Sequence, residues 1–382
     1  MAERQQLRVA VVSHAAVVAA NQEPFVALER AGAEVSILAP KELDTDLRGR
    51  LRLERAEALK GRLLGLDVSL GGYKPWLGGQ RGIHLIAYRE LEQALEEVAA
   101  DVVFVEEEPY SLAAFQVARW SGRRRPMVVH QNQNLVRELP LPFRWMRRRV
   151  LKTAAACTAR NPSAEQRLRE AGFKGPITQF PHAIDPAAYE GPRRRTGLPS
   201  PVVGFVGRLV EEKGILELIE SLAPLRRRMP LSLLVVGDGP LRAHAEDAAH
   251  RANITHRFLG AIPHEEVPEW YPAMDLVVIP SRPTQTWAEQ FGRVVVEAGA
   301  AGVAVLASDC GELGATVEAT GGGLVYELSD PDGLAKGLER LLVDGRERAG
   351  FAEQGRRGVL QHFTHDGVAH SLLATLTGAA EA

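Results

Sequence analysis

The sequence predicts an α/β fold of two doubly wound, Rossmann-like domains. Three observations predict it. The chain has 382 residues, and at about 150 residues per domain two domains are the natural division. Short β-branched runs alternate with helical patterns in both halves, and such repetition builds parallel strands joined by right-handed crossovers. Between the two series, residues 189–201 are rich in proline, glycine and charge and lack periodicity, as an interdomain linker does.

The elements follow in order. Residues 7–12 read as a buried strand, 24–31 as a short helix and 34–39 as a second strand. Further strands fall at 101–105, 127–130 and 155–159, with helical patterns at 88–99, 111–120 and 164–171. After the linker, 202–206 is a strand, and Ile215, Leu218, Ile219 and Leu222 recur at helical spacing. Strands are expected at 231–236, 256–259 and 276–280, and helices at 292–301 and 331–342. The tail, 363–376, is helical and apolar on one side. The expected domains are therefore 1–190 and 191–362, followed by a tail over 363–382.

Composition bounds the class. Hydrophobic residues make up 45% and charged residues 25%, the balance of an ordinary globular protein rather than a disordered, collagen-like or disulfide-scaffold chain. No apolar run approaches the roughly 18 residues of a membrane span. The first residues lack the apolar core of a signal peptide, so a cytoplasmic location is expected. Cys157 and Cys310 are too few for a disulfide framework and lack metal-ligand spacing. A formal charge of −2 gives no global pull toward nucleic acid. Arginine supplies 39 of the 46 basic residues; a GC-rich genome accounts for that bias without a special role.

The segment richest in chemistry runs from Pro280 to Ala298. A strand ends at Pro280, a polar loop follows, and a helix is expected to open near Gly292, with Glu289 just before it and Glu297 inside it. At a helical rise of about 1.5 Å, their spacing places the two carboxylates roughly 12 Å apart. That suits hydrogen bonds to hydroxyls at opposite ends of one elongated ligand. Free amides at the helix start make an anion site between them, and Gly292 lets a ligand approach the backbone. Sugar, diphosphate and ribose match that order. Taken alone, Glu289 equally reads as a residue favouring a helix N-terminus, and Glu297 as a solvated one.

A second phosphate signal lies at 204–214. A strand ends near Val206, and a turn through Gly207 leads to a helix expected to start near Lys213, with Arg208 and Lys213 flanking the turn. One arginine and one lysine beyond a strand end suit the two phosphates of a nucleoside diphosphate, and they would stabilise it as a leaving group. In isolation they also read as surface cations beside Glu211 and Glu212. The Walker pattern is absent.

Together these segments resemble glycosyltransferase family 4 (glycosyl transferases group 1), whose fold is GT-B. The carriers are Gly207-Arg208, Glu212-Lys213-Gly214, Val236-Gly237-Asp238-Gly239-Pro240, Glu289-Gln290-Phe291-Gly292 with Glu297, and Ser308-Asp309-Cys310-Gly311-Glu312. The resemblance is dense over 202–342 and thinner before. It implies two Rossmann-like domains facing a central cleft, with the tail helix over 363–382 crossing back to pack on the first domain. It implies a nucleoside-diphosphate sugar held mainly by the second domain: Arg208 and Lys213 on the diphosphate, Glu289 on the sugar hydroxyls, Glu297 on the ribose, and the backbone near Phe291 and Gly292 close to the donor. It further implies transfer with retention of configuration, with no cofactor and no essential metal.

The same resemblance gives the acceptor to the first domain. Glu108-Pro109 looks like the second half of the family's His-Glu-Pro turn, with Glu107 in place of the histidine. His130 takes the place of the histidine that relatives hold beside the anomeric carbon; a histidine at a strand end is otherwise often a satisfied polar residue. His14, Asn21, Glu108 and Asn132 are the candidate acceptor-side residues. Two departures stand out. The loop after the first strand, from Ser13 to Gln22, lacks the family's glycine pair, so His14 and Asn21 either meet substrate there or simply pack. Phe180-Pro181-His182-Ala183-Ile184-Asp185 stands where relatives carry Pro-Asn-Gly-Val-Asp, and reads as hinge structure.

Residues 144–152, from Arg144 to Lys152, mix cations with apolar groups, and Arg123, Arg124 and Arg125 lie nearby in sequence. They read either as a solvated helix face or as a peripheral contact with the anionic inner membrane face. No nucleic-acid recognition module is present. The reading that unites these features is a hexosyltransferase-type enzyme (EC 2.4) using a sugar nucleotide and a hydroxyl acceptor. The alternatives are a sugar-nucleotide epimerase on the same fold, against which the ordered Arg–Lys–Glu–Glu set argues, and a non-catalytic sugar-nucleotide binding protein.

Overall fold

The structure is a computed structural model that describes all residues except 1–5, 46–48, 71–83, 123–124, 136–137, 193, 195 and 286. The chain divides into two units. The first comprises residues up to Pro181 together with His365–Ala382, and the second comprises His182–Thr364.

The first unit is built on strands rich in valine and alanine. They are β1 (Arg8–Val12), β2 (Glu34–Pro40), the hairpin β3 (Glu42–Thr45) and β4 (Gly49–Arg52), β5 (Arg62–Leu66), the short pair β6 (Val68–Leu70) and β7 (Ala87–Tyr88), β8 (Val102–Val105), β9 (Met127–Gln131), β10 (Ala156–Ala159) and β11 (Ile177–Gln179). Seven of them form one sheet in the order β11-β10-β9-β8-β1-β2-β5, and its pairings are parallel. Strands covered on both faces read as continuous apolar runs, and β8 and β9 are buried throughout. The helices are α1 (Glu23–Arg30), α2 (Leu91–Val98), α3 (Leu112–Ser121), α4 (Leu141–Thr153) and α5 (Pro162–Glu170). Ser111 caps α3 by accepting from the Ala114 amide at 3.1 Å. Asn161 caps α5 by accepting from Ala164 at 2.7 Å, with Pro162 opening the first turn, as cap chemistry favours.

The second unit contains β12 (Val202–Val206), α6 (Ile215–Arg226), β13 (Ser232–Val236), α7 (Arg242–Arg251), β14 (Thr255–Phe258), β15 (Leu276–Ile279), α8 (Arg293–Ala300), β16 (Ala304–Ser308), α9 (Leu313–Thr320), β17 (Gly323–Tyr326), α10 (Gly333–Val343) and α11 (Gly345–His362). Its six-stranded sheet runs β14-β13-β12-β15-β16-β17, and its pairings are parallel. Both sheets are doubly wound. Strand order reverses between β1 and β8 in the first unit and between β12 and β15 in the second. Ligands of such sheets bind outside the carboxyl ends of the strands at that reversal.

Several boundaries differ from expectation. The units part at Pro181 and again at Thr364, not at residue 190. Residues 182–190 are tied to the second unit: the Tyr189 ring lies 5.9 Å from Tyr271, and Glu190 pairs with Arg356 at 2.6 Å. The expected linker is thus the approach to β12 rather than the division itself, which falls in the Phe180–Asp185 stretch read as hinge. The tail over 363–382 holds a single helix, α12 (His365–Glu381), which belongs to the first unit, where Asp366 pairs with Arg30 of α1 at 2.8 Å. Helix α7 leaves no periodic signal in the sequence, because its Arg-Ala-His-Ala-Glu-Asp run carries alanine rather than a large apolar stripe.

Candidate active site

In the second unit, two loops leave the carboxyl ends of the strands that flank the reversal. The loop after β12 carries Gly207, Arg208 and Lys213; the loop after β15 carries Ser281, Trp287 and Glu289. They meet in an ion pair between Lys213 Nζ and Glu289 Oε1. Ser281 donates to the same carboxylate at 3.0 Å and is itself held by Ser308, which donates to the Ser281 carbonyl at 2.6 Å. The Lys213 ammonium lies 4.7 Å from the centre of the Trp287 ring. The lysine expected on the diphosphate and the glutamate expected on the sugar are therefore direct partners. Arg208 stays 58% exposed, 3.6 Å from Glu212.

Glycines shape these loops. No helix starts at Lys213: a 3-10 turn over Glu211–Lys213 ends at Gly214, with φ +71°, and α6 begins at Ile215. A side chain at Gly214 would put its Cβ 2.1 Å from the Pro280 carbonyl oxygen, so glycine lets the β12 loop cross the end of β15. At Gly237 the Cβ would stand 1.9 Å from the Gly207 carbonyl oxygen, and Leu209 donates to the Asp238 carbonyl at 2.9 Å. The Gly-Asp-Gly-Pro turn serves as a bed for the Arg208 loop.

The helical spacing argument for the two glutamates does not hold. Glu289 lies in an irregular loop, and α8 begins only at Arg293, after Gly292 at φ +77°. The Glu289 backbone is fixed instead by the loop after β16, through a 3.0 Å bond from the Glu312 amide. Nor is Glu297 solvated. It is buried, accepts from the Tyr271 hydroxyl at 2.6 Å and pairs with Arg293 Nε at 3.0 Å. Burial beside that carboxylate holds the Tyr271 phenol well above its usual range. The Phe291 carbonyl accepts from Thr316, and its ring packs 5.3 Å from His182 and 5.8 Å from Phe363.

The first unit gathers polar groups at the corresponding place. Ser13 and His14 follow β1, Glu106, Glu107 and Glu108 follow β8, Asn132 follows β9, and Arg160 follows β10. Glu107 Oε2 and Oε1 lie 2.8 and 2.9 Å from His14 Nδ1, and Oε1 also accepts from the His14 amide at 2.8 Å. Ser13 donates to Glu106 at 2.7 Å, and Arg160 stands 3.6 Å from the other Glu106 oxygen. Arg160 also donates to Asn132 Oδ1 and to the Phe180 carbonyl, both at 3.0 Å. Burial raises the Glu106 carboxyl above the usual range, although Arg160 and Ser13 oppose the shift. Glu108 accepts from the Gln131 side chain at 2.8 Å and from the amides of Asn132 and Gln133 at 3.2 and 2.8 Å. It braces the β9 loop.

His130 lies in β9, near its carboxyl end, and is 2% exposed. Its Nδ1 is 2.9 Å from Thr158 Oγ1, and its ring meets Phe180 edge-on at 5.5 Å. Asn21 donates to the Ala15 carbonyl at 2.8 Å and folds its own loop. The partners that sequence reading missed are Ser281, Trp287, Tyr271, Thr158 and Arg160. Each contacts a motif residue only through tertiary structure, so spacing carries no signal for them. Among the described residues, no group of three or more His, Cys, Asp or Glu is placed to hold a metal ion, and no helix is long and apolar enough to cross a membrane.

Comparisons with known proteins follow the division of the chain. Residues 26–188 match Glycosyltransferase Family 4 and residues 193–358 match Glycosyl transferases group 1. A 2-deoxystreptamine glucosyltransferase of Streptomyces kanamyceticus is 31% identical over 64% of this chain and 65% of its own length. A D-inositol 3-phosphate glycosyltransferase of Corynebacterium urealyticum is 37% identical over 44% of this chain and 41% of its own. The chain thus spans less than two thirds of either relative. Anabaena HepE, solved in complex with UDP, shares the fold with a TM-score of 0.68 at 19% identity, over 98% of this chain and 100% of that one. With two parallel doubly wound sheets, the ordered motifs and both domain matches, the chain belongs to the glycosyltransferase family 4 (glycosyl transferases group 1) proteins of GT-B fold.

Proposed function

We propose that this protein is a retaining glycosyltransferase that moves a hexosyl group from a nucleoside-diphosphate sugar to a hydroxyl acceptor. The observation that carries the reading is the Lys213–Glu289 pair spanning the strand-order reversal of the second unit. A cation and a carboxylate stand there on loops bedded by glycine, where a doubly wound sheet receives a phosphorylated ligand. In this reading Arg208 and Lys213 take the diphosphate, so the leaving group finds its positive charge in side chains, and turnover is expected to survive a chelator. Glu289 takes the sugar hydroxyls and Glu297, held by Tyr271 and Arg293, the ribose. The amides around Phe291 and Gly292 lie along the donor. His130, with Asn132 and Glu108 shaping its loop, serves the transferring sugar and the acceptor. Named relatives that are glycosyltransferases support the class, and a solved neighbour holding UDP supports the donor.

Incubation with UDP-glucose, UDP-N-acetylglucosamine and GDP-mannose tests the proposal. Nucleoside diphosphate should be released together with a glycosylated product of unchanged anomeric configuration. Isomerised donor would favour the epimerase, and binding without turnover a sugar-nucleotide binding protein.

The same reading places the protein in the cytoplasm, at the inner membrane face. Helix α4 carries five cations and no acid, with Trp145 60% and Leu141 77% exposed. Such a face suits an anionic lipid surface. Binding to phosphatidylglycerol vesicles that is absent with neutral vesicles, and lost in Trp145→Glu, is the expected result.

A further inference from the structure

The proposed function sets Glu297 on the ribose of the donor, and the structure places beside that carboxylate two groups with no role in holding sugar or phosphate. Arg293 pairs with Glu297 through Nε at 3.0 Å. The same guanidinium reaches through Nη2 to Nε2 of His264, also at 3.0 Å. We infer that Arg293 and His264 form the edge of the donor site that reads the nucleobase, and that they select a base carrying a ring oxo group, uracil or guanine, over one carrying an amino group in its place, cytosine or adenine. The inference deepens the proposed function and rests on it.

Position comes first. A base hangs from its ribose by a single bond, so groups next to the carboxylate that holds the ribose lie within its reach. Arg293 opens α8 directly after Gly292. His264 opens the 3-10 segment His264–Ala273 that follows β14, and the same segment supplies Tyr271 to Glu297. In the order β14-β13-β12-β15, Lys213 and Glu289 stand at the reversal between β12 and β15, and β14 lies two strands from β12 on the other side. A nucleotide laid along the carboxyl ends of the strands therefore runs from phosphates at β12 toward a base at His264. The pair is also open to a ligand. His264 is exposed, and the Arg293 side chain is 49% exposed where that of Glu297 is 5% exposed.

The chemistry follows from the donors. An arginine only donates, so Nε2 of His264 accepts and the ring carries its proton on Nδ1. The anchoring bonds occupy Nε and one N–H of Nη2, and Nη1 has no partner among the described residues. A ligand thus meets N–H donors from both side chains and an acceptor from neither. O4 of uracil and O6 of guanine accept there, whereas the amino groups at the same places in cytosine and adenine only donate. A donor set against donors leaves all of them without a hydrogen bond, which is the costly case. The buried carboxylate of Glu297 fixes the guanidinium plane, so the donors are aimed before a ligand arrives and less ordering is lost on binding. Arg293 and His264 are specificity-determining residues, and neither takes part in the exchange of bonds at the anomeric carbon.

The test is calorimetric titration of UDP, CDP, GDP and ADP into the wild type, His264→Ala and Arg293→Lys, with inorganic pyrophosphate as a ligand that has no base. UDP and CDP share ribose, phosphates and ring size, so their ratio isolates the oxo group from the amino group; GDP and ADP make the same comparison for a purine. Whichever ring size the site accepts, the oxo nucleotide should bind about tenfold or more tighter than its amino counterpart. Each variant should shrink that ratio by about threefold or more, by weakening the oxo nucleotide alone, and should bind pyrophosphate as the wild type does. Lysine at position 293 keeps a cation beside Glu297 but lacks the planar fork, and His264 is exposed, so urea unfolding should match the wild type in both variants. Equal wild-type affinity for the oxo and amino partners, a ratio unmoved in His264→Ala, or an equal loss for both partners in Arg293→Lys overturns the base-reading edge alone. A wild type that binds none of the four nucleotides and releases nucleoside diphosphate from none of UDP-glucose, UDP-N-acetylglucosamine and GDP-mannose overturns the donor reading, and the edge with it.

Discussion

Each unit sets one basic group against one carboxylate across the reversal of its sheet, and the two pairs differ in kind. In the second unit the pair is Lys213 with Glu289, beside a mostly exposed Arg208. In the first it is His14 with Glu107, inside a network that also ties up Glu106, Glu108, Asn132 and Arg160. A permanent cation beside an exposed one suits a ligand that brings its own fixed negative charge. A partly exposed imidazole held by a buried carboxylate suits an uncharged ligand that is recognised by hydrogen bonds. The same sheet architecture thus presents two chemistries, and the difference lies in which groups the surrounding loops leave accessible.

The largest expected effect probes the buried network. Arg160→Ala would strand Glu106 in a nearly dry setting and remove the bonds to Asn132 and Phe180. Breaking a buried pair from one side costs about 3–5 kcal/mol, and urea unfolding should show a loss of that order. Arg208→Ala should leave unfolding unchanged, since exposed pairs contribute little. Equal stability losses in the two variants would erase the contrast between the units.

Next is chemistry against binding within the second unit. Glu289→Gln should cut transfer by about 10²-fold or more, as removal of a group matched to the transition state does, with modest change in UDP or GDP affinity. Glu297→Gln should show the reverse emphasis, because a ribose contact does not need the sugar. Calorimetry paired with turnover assays separates them, and exchanged phenotypes would reverse the donor's orientation. His130→Ala is expected to lose transfer while keeping nucleoside-diphosphate affinity. The smallest effect belongs to Trp287→Leu. Losing a mostly buried cation–π contact of roughly 1 kcal/mol should weaken donor affinity only a few-fold, visible as a raised KM at constant kcat.

Much of this was legible in the sequence. The β-branched run 202–206 coincides with β12, Val202–Val206, and the ordered motifs point to Arg208, Lys213, Glu289 and Glu297. What the sequence hid has a common cause. The spacing of Glu289 and Glu297 suggested a helix, but Gly292 interrupts it with a left-handed backbone. Tyr271 lies among prolines in a 3-10 segment with no periodicity to mark it, and reaches Glu297 from 26 residues away. Glu107 and His14 are 93 residues apart; each looked like a lone departure because neither residue records its partner.

The central claim is that the two pairs divide the work, with the diphosphate on Lys213 and no part in nucleotide binding for His14 and Glu107. Calorimetric titration of UDP and GDP into the wild type, Lys213→Ala and His14→Ala tests it most directly. The account predicts that Lys213→Ala loses at least tenfold in affinity for whichever nucleotide the wild type prefers, as a charge-assisted contact of about 1.5–3 kcal/mol requires, while His14→Ala binds it like the wild type. Unchanged affinity in Lys213→Ala, or an equal loss in His14→Ala, would contradict the division.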